Sequence, residues 1–339
     1  MASGHNNMRR LAHRAAEEIR ASIAIGRVCG FSEGVNAFHA KLDLQVMNRN
    51  GYFEPPQVRS RLIRKHEAVM RYLEKLLGDY ASAYNYDQVL PPVPTDMSGK
   101  IWMCWWQGED QAPEIVKACI DSVRKGSEGR EVVVISDENI QNYVVFPEQV
   151  LRLRDKGVLS RTHLSDLLRL ELLSRYGGLW LDSTFFCCRP LVSEVYSAPL
   201  FSIKRPEYLH GSIAAGYFAN YSLGCDDENR YIFAAIRDLF LEYWNRSTYL
   251  IDYLLTDYLI VMVQRHNNRV ADAFSSVKQN NPMCDELFKV LGTPYEQDDW
   301  NYLSADTDLF KLTWKQGFPK QIGGAETFYA KVLNGGLWA

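Results

Sequence analysis

The chain has 339 residues, of which 47% are hydrophobic and 23% are charged, and its net charge is −3. This balance is typical of a globular protein and gives no support for a nucleic-acid-binding function. Seven cysteines without CxxC spacing argue against zinc and redox motifs and indicate reduced thiols in a cytosolic protein, and we expect neither a transmembrane helix nor a signal peptide.

Residues 1–95 predict a helical accessory region. A second helix begins at Pro55-Pro56, and Gly78 is predicted to stop it. We favour a helical pair packed on the main domain; the alternative is a basic amphipathic helix that binds a partner or contacts a membrane surface. The first helix would carry an apolar stripe among arginines: Met8, Leu11, Ala15, Ile19 and Ile23 with Arg9, Arg10, Arg14 and Arg20.

A proline-rich linker at residues 91–94 is the predicted boundary, and an α/β pattern follows it. Strand, helix, strand, helix and strand in succession predict a parallel sheet with a nucleotide-sized crevice at the strand ends. The predicted strands cover residues 101–106, 131–136, 179–186 and 199–203, and the predicted helices begin at Pro113, cover residues 163–176 and occupy residues 225–265.

The segment 163–184 carries the most information about function. Its leucines recur at helical spacing, and Asp166 and Arg169 are neighbours on that helix. Gly177-Gly178 predicts a helix stop, and the strand that follows leads into Asp182. A surface Asp–Arg pair would contribute only about 0.3–0.5 kcal/mol. Because this pair lies in a leucine-rich helix, we favour a functional site over a surface pair.

Several common catalytic motifs are absent from the sequence. There is no GxGxxG, no Walker A loop and no GxSxG, and the seven histidines show no metal-ligand spacing. Trp105 and Trp106 stand at the end of the first predicted strand. Stacking on a nucleotide base would contribute about 1–3 kcal/mol, and core packing is the alternative interpretation.

Together these segments resemble the capsular polysaccharide synthesis protein family, which is related to glycosyltransferases that include yeast mannosyltransferases and bacterial glucosylating toxins. The resemblance covers roughly residues 99–320. The matching segments are residues 101–108, 165–169, 176–182, 242–253 and 311–315.

The resemblance implies a GT-A nucleotide-diphospho-sugar transferase fold, a Rossmann-like mixed sheet flanked by helices, over residues 96–339, with residues 1–95 as a helical extension. It implies a hexosyltransferase that moves a sugar from a nucleotide-sugar donor, a UDP-sugar by preference, to a glycan or lipid-linked glycan acceptor with retention. We expect such an enzyme in bacterial capsule or exopolysaccharide synthesis, in the cytoplasm or at the inner membrane face.

The same resemblance implies a metal site with one departure from the relatives. Asp182 matches the first Asp of an Asp-x-Asp motif that binds Mn²⁺ or Mg²⁺, and Thr184 stands in place of the second. We therefore expect weaker metal binding, or a site completed by Asp306 or Asp308.

For the donor, the resemblance implies that Asp166 and Arg169 grip the sugar hydroxyls and that Trp105 or Trp106 lies near the base. The segment that contains Lys311, Thr313 and Trp314 would close over the diphosphate and exclude water.

Two other functions remain open at this point. A glycoside hydrolase could use Asp166 and Asp182 if the two carboxyls flanked a bond at about 5–9.5 Å. Alternatively, the Thr184 position could mark a non-catalytic scaffold that binds a glycan or a nucleotide.

Overall fold

The computed structural model describes residues 2–49 and 51–338, without the side chains of residues 2–14, 49, 194 and 197. The predicted stripe and arginines at positions 8–14 therefore lie outside the described side chains. Three helices open the chain: α1 (Ala2–Cys29), α2 (Phe31–Arg49) and α3 (Pro56–Ala83).

The sequence predicted only two helices in this region and ended the second one too early. The apolar residues of α2 are spread around the helix axis, so they show no stripe. The predicted stop at Gly78 is wrong, because α3 continues past it to Ala83. Leu77 and Ala81 are fully buried on either side of Gly78. Their packing offsets the roughly 1 kcal/mol that a glycine costs inside a helix.

The chain after the linker begins with alternating strands and helices and continues with runs of each. They are β1 (Ile101–Cys104), α4 (Glu114–Gly126), β2 (Val132–Ile135), α5 (Glu148–Asp155), α6 (Arg161–Tyr176), β3 (Gly178–Leu181), β4 (Phe185–Cys187), α7 (Glu194–Ser197), β5 (Leu200–Ser202), β6 (Ser222–Cys225), α8 (Tyr231–Arg246), α9 (Leu255–His266), α10 (Asn268–Ser276), α11 (Leu287–Val290), α12 (Gln297–Ser304), β7 (Leu309–Lys311), β8 (Gln321–Ile322), β9 (Ala325–Glu326) and α13 (Phe328–Leu333).

A five-stranded sheet in the order β2-β1-β3-β6-β5 forms the centre of the fold. The strands β2, β1 and β3 are parallel, β6 runs antiparallel to β3, and β5 pairs antiparallel with β6 and so runs in the direction of the first three. Successive side chains of β1 pack into cores on opposite faces, with Trp102 on one side and Ile101 and Met103 on the other. The predicted α/β architecture, a mixed sheet flanked by helices, is confirmed.

The N-terminal helices share the core on the Trp102 face. In that core, residues of α3 such as Val69 and Leu73 lie in one cluster with residues of α8 and α9. The division of the chain at residue 95 stays a prediction. Among the described helices, none combines the length and the apolar character that crossing a bilayer requires.

The turn between α6 and β3 has the geometry that its two glycines predict. The helix ends at Tyr176, and Gly177 and Gly178 take φ values of +63° and +83°. The Trp102 indole donates a hydrogen bond of 2.9 Å to the Gly177 carbonyl. The turn therefore sets β3 directly beside β1.

The predicted single strand over residues 179–186 is two strands. In the central sheet, the strand ends at Leu181. Residues 185–187 pair instead with β7 in a second, two-stranded sheet. Residues 182–184 form the turn between the two sheets. This break leaves Asp182 and Thr184 at the strand end instead of inside a continuous ladder.

We predict that Gly178→Ala lowers the free energy of unfolding by about 2–3 kcal/mol, because the residue is left-handed and a Cβ would overlap the Lys100 carbonyl oxygen. Denaturant titration measures the change. Gly317→Ala is the matched control, since its added Cβ has no heavy atom within 4 Å. Equal losses in the two variants would contradict the prediction.

Candidate active site

A cavity of about 590 Å³ opens where β1 and β3 end. Cys104 closes β1 and Asp182 follows β3, so the cavity lies at the carboxyl ends of parallel strands. The nine residues that the sequence predicts for the donor and for the Asp182–Thr184 metal pair line this cavity: Trp105, Trp106, Asp166, Arg169, Asp182, Thr184, Lys311, Thr313 and Trp314. The structure brings them together, and their individual roles stay predictions.

The Arg169 guanidinium connects the charged groups of the cavity. Its Nη1 donates to Asp166 Oδ1 at 3.0 Å and to Asn220 Oδ1, and its Nη2 donates to Asp182 Oδ1 at 3.0 Å. The Arg169 side chain is only 4% exposed, and it lies 5.0 Å from the Trp180 ring centre. A buried guanidinium needs such compensation, because an unpaired buried charge is costly.

The two carboxyls that share Arg169 have pKa values shifted in opposite directions. Burial raises the pKa of Asp166, and Arg169 offsets only part of that effect. Burial acts in the same sense on Asp182, but the Lys311 and Arg169 cations outweigh it and lower the pKa of Asp182 below its usual range. Asp182 is therefore held as a carboxylate at neutral pH.

The pairing of β7 with β4 in the second sheet brings Lys311 close to Asp182. The strand β7 pairs with β4 so that Lys311 stands opposite Phe185. The backbone N–H of Leu312 donates to the Thr184 carbonyl at 2.9 Å. This register places Lys311 Nζ 3.4 Å from Asp182 Oδ2, and Nζ also donates a hydrogen bond to Thr184 Oγ1.

These contacts do not fit the predicted Mn²⁺ or Mg²⁺ site. Both side-chain oxygens of Asp182 already face cations, and the Thr184 hydroxyl accepts from Lys311. Within residues 2–49 and 51–338, no cluster of three or more His, Cys, Asp or Glu residues could hold a metal ion. A divalent ion prefers several anionic or neutral oxygens and is repelled by an ammonium group.

The suggested completion by Asp306 or Asp308 is wrong. Neither residue is among those that line the cavity. Asp308 pairs instead with Arg189 at 3.3 Å. It precedes β7, and three residues of extended strand separate it from Lys311 by about 10 Å.

Three tryptophans stand at the rim of the cavity. Trp105 and Trp314 contact edge to face with ring centres 5.4 Å apart, and Trp314 is 48% exposed. Trp106 donates its indole N–H to Ser165 Oγ at 2.8 Å, which fixes its ring against α6. Trp106 is thus held in place, whereas Trp314 leaves ring surface open to a ligand.

Sequence reasoning missed three polar residues of the cavity: Asn220, Arg205 and Asp257. Asn220 and Arg205 lie outside the helices and strands, where no periodic pattern could single them out. Asp257 could have been found, since it is an acidic residue in the apolar first turn of α9. The same argument led to Asp166 in α6.

Asp257 is a buried acid with an unusual pKa. It is 5% exposed and accepts a hydrogen bond from the Ser212 hydroxyl, while its Oδ1 has no hydrogen-bond partner among the described residues. Burial raises the pKa of Asp257 to about 7, with a smaller contribution from the Asp166 charge. The cavity therefore contains a carboxyl that changes charge near neutral pH.

A family model described as capsular polysaccharide synthesis protein matches residues 49–332. The match confirms the resemblance seen in the sequence motifs, and it begins well before residue 99, so that it includes α3. A solved structure titled "PaToxG Glycosyltransferase" is similar at 16% identity, over 62% of this chain and 84% of that chain, with a TM-score of 0.36. No curated protein matches the chain.

We predict that Asp257→Asn stabilises the protein at pH 8 and has little effect at pH 4. The folded chain holds a proton up to about pH 7, whereas an unfolded aspartate loses its proton near pH 4. Wild-type stability should therefore fall as pH rises between these values, and the neutral amide removes that fall.

Thermal melts from pH 4 to pH 8 measure this effect. Asp272→Asn is the control, because Asp272 is an exposed acid of α10. Parallel stability curves for wild type and Asp257→Asn would show that Asp257 titrates normally.

Proposed function

Because the chain belongs to the capsular polysaccharide synthesis protein family, we propose that it is a GT-A glycosyltransferase of hexosyltransferase type. In this proposal it moves a sugar from a nucleotide-sugar donor, a UDP-sugar by preference, to a glycan acceptor during capsule or exopolysaccharide synthesis. The observation that carries the proposal is the convergence of Asp166, Arg169 and Asp182 in a cavity at the ends of β1 and β3.

In the proposed complex, Asp166 and Arg169 hold the donor sugar. A carboxylate accepts hydrogen bonds from sugar hydroxyls, and a guanidinium donates in a fixed planar fork. Arg169 is already oriented by Asp166, Asn220 and Asp182 before the donor arrives. Little conformational entropy is then lost when the sugar binds.

The base and the diphosphate would bind towards the rim. Trp105 or Trp106 would stack on the base, as their positions after β1 allow. Thr313 and Trp314 lie two and three residues after Lys311 and would cover the diphosphate. Excluding water there protects the donor from hydrolysis.

The reaction breaks the bond between C1 of the sugar and the diphosphate oxygen. An acceptor hydroxyl oxygen forms the new bond to C1, and its proton passes to the departing diphosphate. Proton delivery to the leaving group is consistent with the retention of configuration that we propose. This scheme includes no step at the predicted Mn²⁺ or Mg²⁺, because the residues around Asp182 do not fit a divalent ion.

We further propose a glycan or lipid-linked glycan acceptor and a cytoplasmic protein that contacts the inner membrane face. The described N-terminal helices support this proposal, because they expose large apolar side chains to solvent, among them Ile23 and Phe31. Burial of such side chains in a lipid interface is favourable.

The arrangement of the two carboxyls argues against a glycoside hydrolase. Such an enzyme needs Asp166 and Asp182 on either side of a sugar linkage. Here the Arg169 guanidinium occupies the space between the two, with a 3.0 Å hydrogen bond to each.

A donor screen tests the proposed function directly. Purified protein is incubated with UDP-, GDP- and other nucleotide sugars and a capsular glycan, with and without Mn²⁺, and nucleotide release is measured. We expect release from one donor, accompanied by growth of the glycan. Release of free sugar from the glycan without any nucleotide would establish a hydrolase instead.

We predict that Asp182→Asn lowers kcat/KM by about 100-fold or more, since it removes the charge shared by Arg169 and Lys311. Steady-state kinetics with the accepted donor measure the loss. The fold should persist, because the Arg169 guanidinium keeps Asp166 and Asn220 as partners in this variant. A collapsed fold would make Asp182 a structural residue.

Arg169→Lys should fail in the same assay, because an ammonium cannot reproduce the contacts of Nη1 and Nη2. The expected loss in kcat/KM is again about 100-fold. Lys320→Met is the control for both variants, since Lys320 is 58% exposed and pairs with Glu114. Unchanged kcat/KM in Arg169→Lys would exclude a donor-binding role for the guanidinium.

A further inference from the structure

The departing nucleoside diphosphate requires a cation, and Lys311 is positioned to supply it. A diphosphate gains negative charge as the sugar leaves, and either a metal ion or a basic side chain can neutralise that charge. This role of Lys311 concerns the site of the proposed function and rests on that function.

The Lys311 ammonium occupies the space between the two predicted metal ligands. Its Nζ lies 3.4 Å from Asp182 Oδ2 and donates to Thr184 Oγ1. It also lies 5.7 Å from the Tyr221 ring centre and 5.8 Å from that of Phe185. Aromatic faces stabilise a cation at such distances. The Lys311 ammonium thus places a positive charge where the predicted metal ion would bind.

A metal ion bound to Asp182 would meet two positive neighbours. The other carboxylate oxygen, Oδ1, already accepts hydrogen bonds from Arg169 Nη2 and from the Trp180 indole, both at 3.0 Å. A divalent ion would therefore have to displace Lys311 while remaining close to Arg169. Like charges in a partly buried site repel strongly.

Basic side chains in the cavity lining are available to an anionic ligand without a metal. The lining contains Arg161, Arg169, Arg205, Lys311 and Lys315 beside Asp166, Asp182 and Asp257. Arg161 and Arg205 pair with Asp137 and Asp285 outside the lining, so the attraction for a diphosphate comes from the neighbourhood of Lys311 and Lys315.

We propose that Lys311 takes the place of the divalent cation, so that the chain binds nucleoside diphosphates and transfers sugar without a metal ion. Asp182 then has a different task from that of its counterparts in an Asp-x-Asp motif. It holds Lys311 and Arg169 in position, and Thr184 supplies a neutral acceptor that adds no second carboxylate beside the ammonium.

The first test is calorimetry of the metal-stripped full chain with UDP and with GDP, in EDTA and in MnCl₂. We expect one of the two nucleotides to bind with the same Kd in both buffers. Binding that appears only with Mn²⁺ would overturn the inference and leave the proposed function standing. Failure of every nucleotide in both buffers would overturn the proposed function and this inference with it.

The second test uses variants of Lys311 with the nucleotide that binds. Lys311→Met should weaken metal-free binding about tenfold or more, because a charged hydrogen bond to the diphosphate is lost. Lys311→Arg should retain most of the affinity, and Lys320→Met, outside the cavity, should match wild type. Wild-type affinity in Lys311→Met would contradict the assignment.

Lys311→Glu separates metal-free from metal-dependent nucleotide binding most clearly. It sets a second carboxylate beside Asp182 and the Thr184 hydroxyl, which is an oxygen set that suits Mn²⁺. Nucleotide binding by this variant should be lost in EDTA and return with MnCl₂, and the electron paramagnetic resonance spectrum should show bound Mn²⁺. Bound Mn²⁺ at the same affinity in wild type would overturn the inference.

Discussion

The Arg169 guanidinium joins three segments that are distant in the sequence. It contacts Asp166 on its own helix, Asp182 after β3 and Asn220 before β6, and it is almost completely buried. Each contact depends on the others, because a guanidinium buried with only one partner would be strongly destabilising. These contacts tie α6, the strand end at Asp182 and the loop before β6 to one another around the cavity.

Buried polar contacts also link the N-terminal helices to the elements around the cavity. Lys65 of α3 forms a buried ion pair with Asp252 at 2.8 Å, and His66 Nδ1 lies 2.7 Å from the Tyr258 hydroxyl of α9. The helix α9 carries Asp257 into the cavity. The helix α3 therefore supports the wall of the site from behind, which agrees with a family match that begins at residue 49.

Local rules predicted the central part of the fold well and its edges less well. The leucine spacing of α6 and the pair Gly177-Gly178 each have one stable local outcome, so the helix and its end were correct. The strand over residues 179–186 was predicted as continuous because apolar residues stand on both sides of Asp182, Ser183 and Thr184. Pairing with β7, more than 120 residues away, divides it, and no local pattern contains that partner.

The candidate site, too, was predicted in part from the sequence. The predicted donor-binding residues and the pair Asp182 and Thr184 line one cavity, whereas Asp306 and Asp308 do not. Motif and resemblance identify which side chains carry chemistry. The expected metal site is not supported, because the position of Lys311 between Asp182 and Thr184 depends on the register of β4 with β7. Asn220 and Arg205 were missed for a related reason: loops bring them to the cavity, and loops carry no period.

The sequence by itself therefore determined the helix α6, the two-glycine turn, the α/β class and the identity of the charged residues. These depend on interactions between residues that are close along the chain. Only the tertiary structure decided which charges face each other. Ion pairs such as Arg169–Asp182 and Lys311–Asp182 form across elements, and their energies depend on burial and distance, which exist only once the chain has folded.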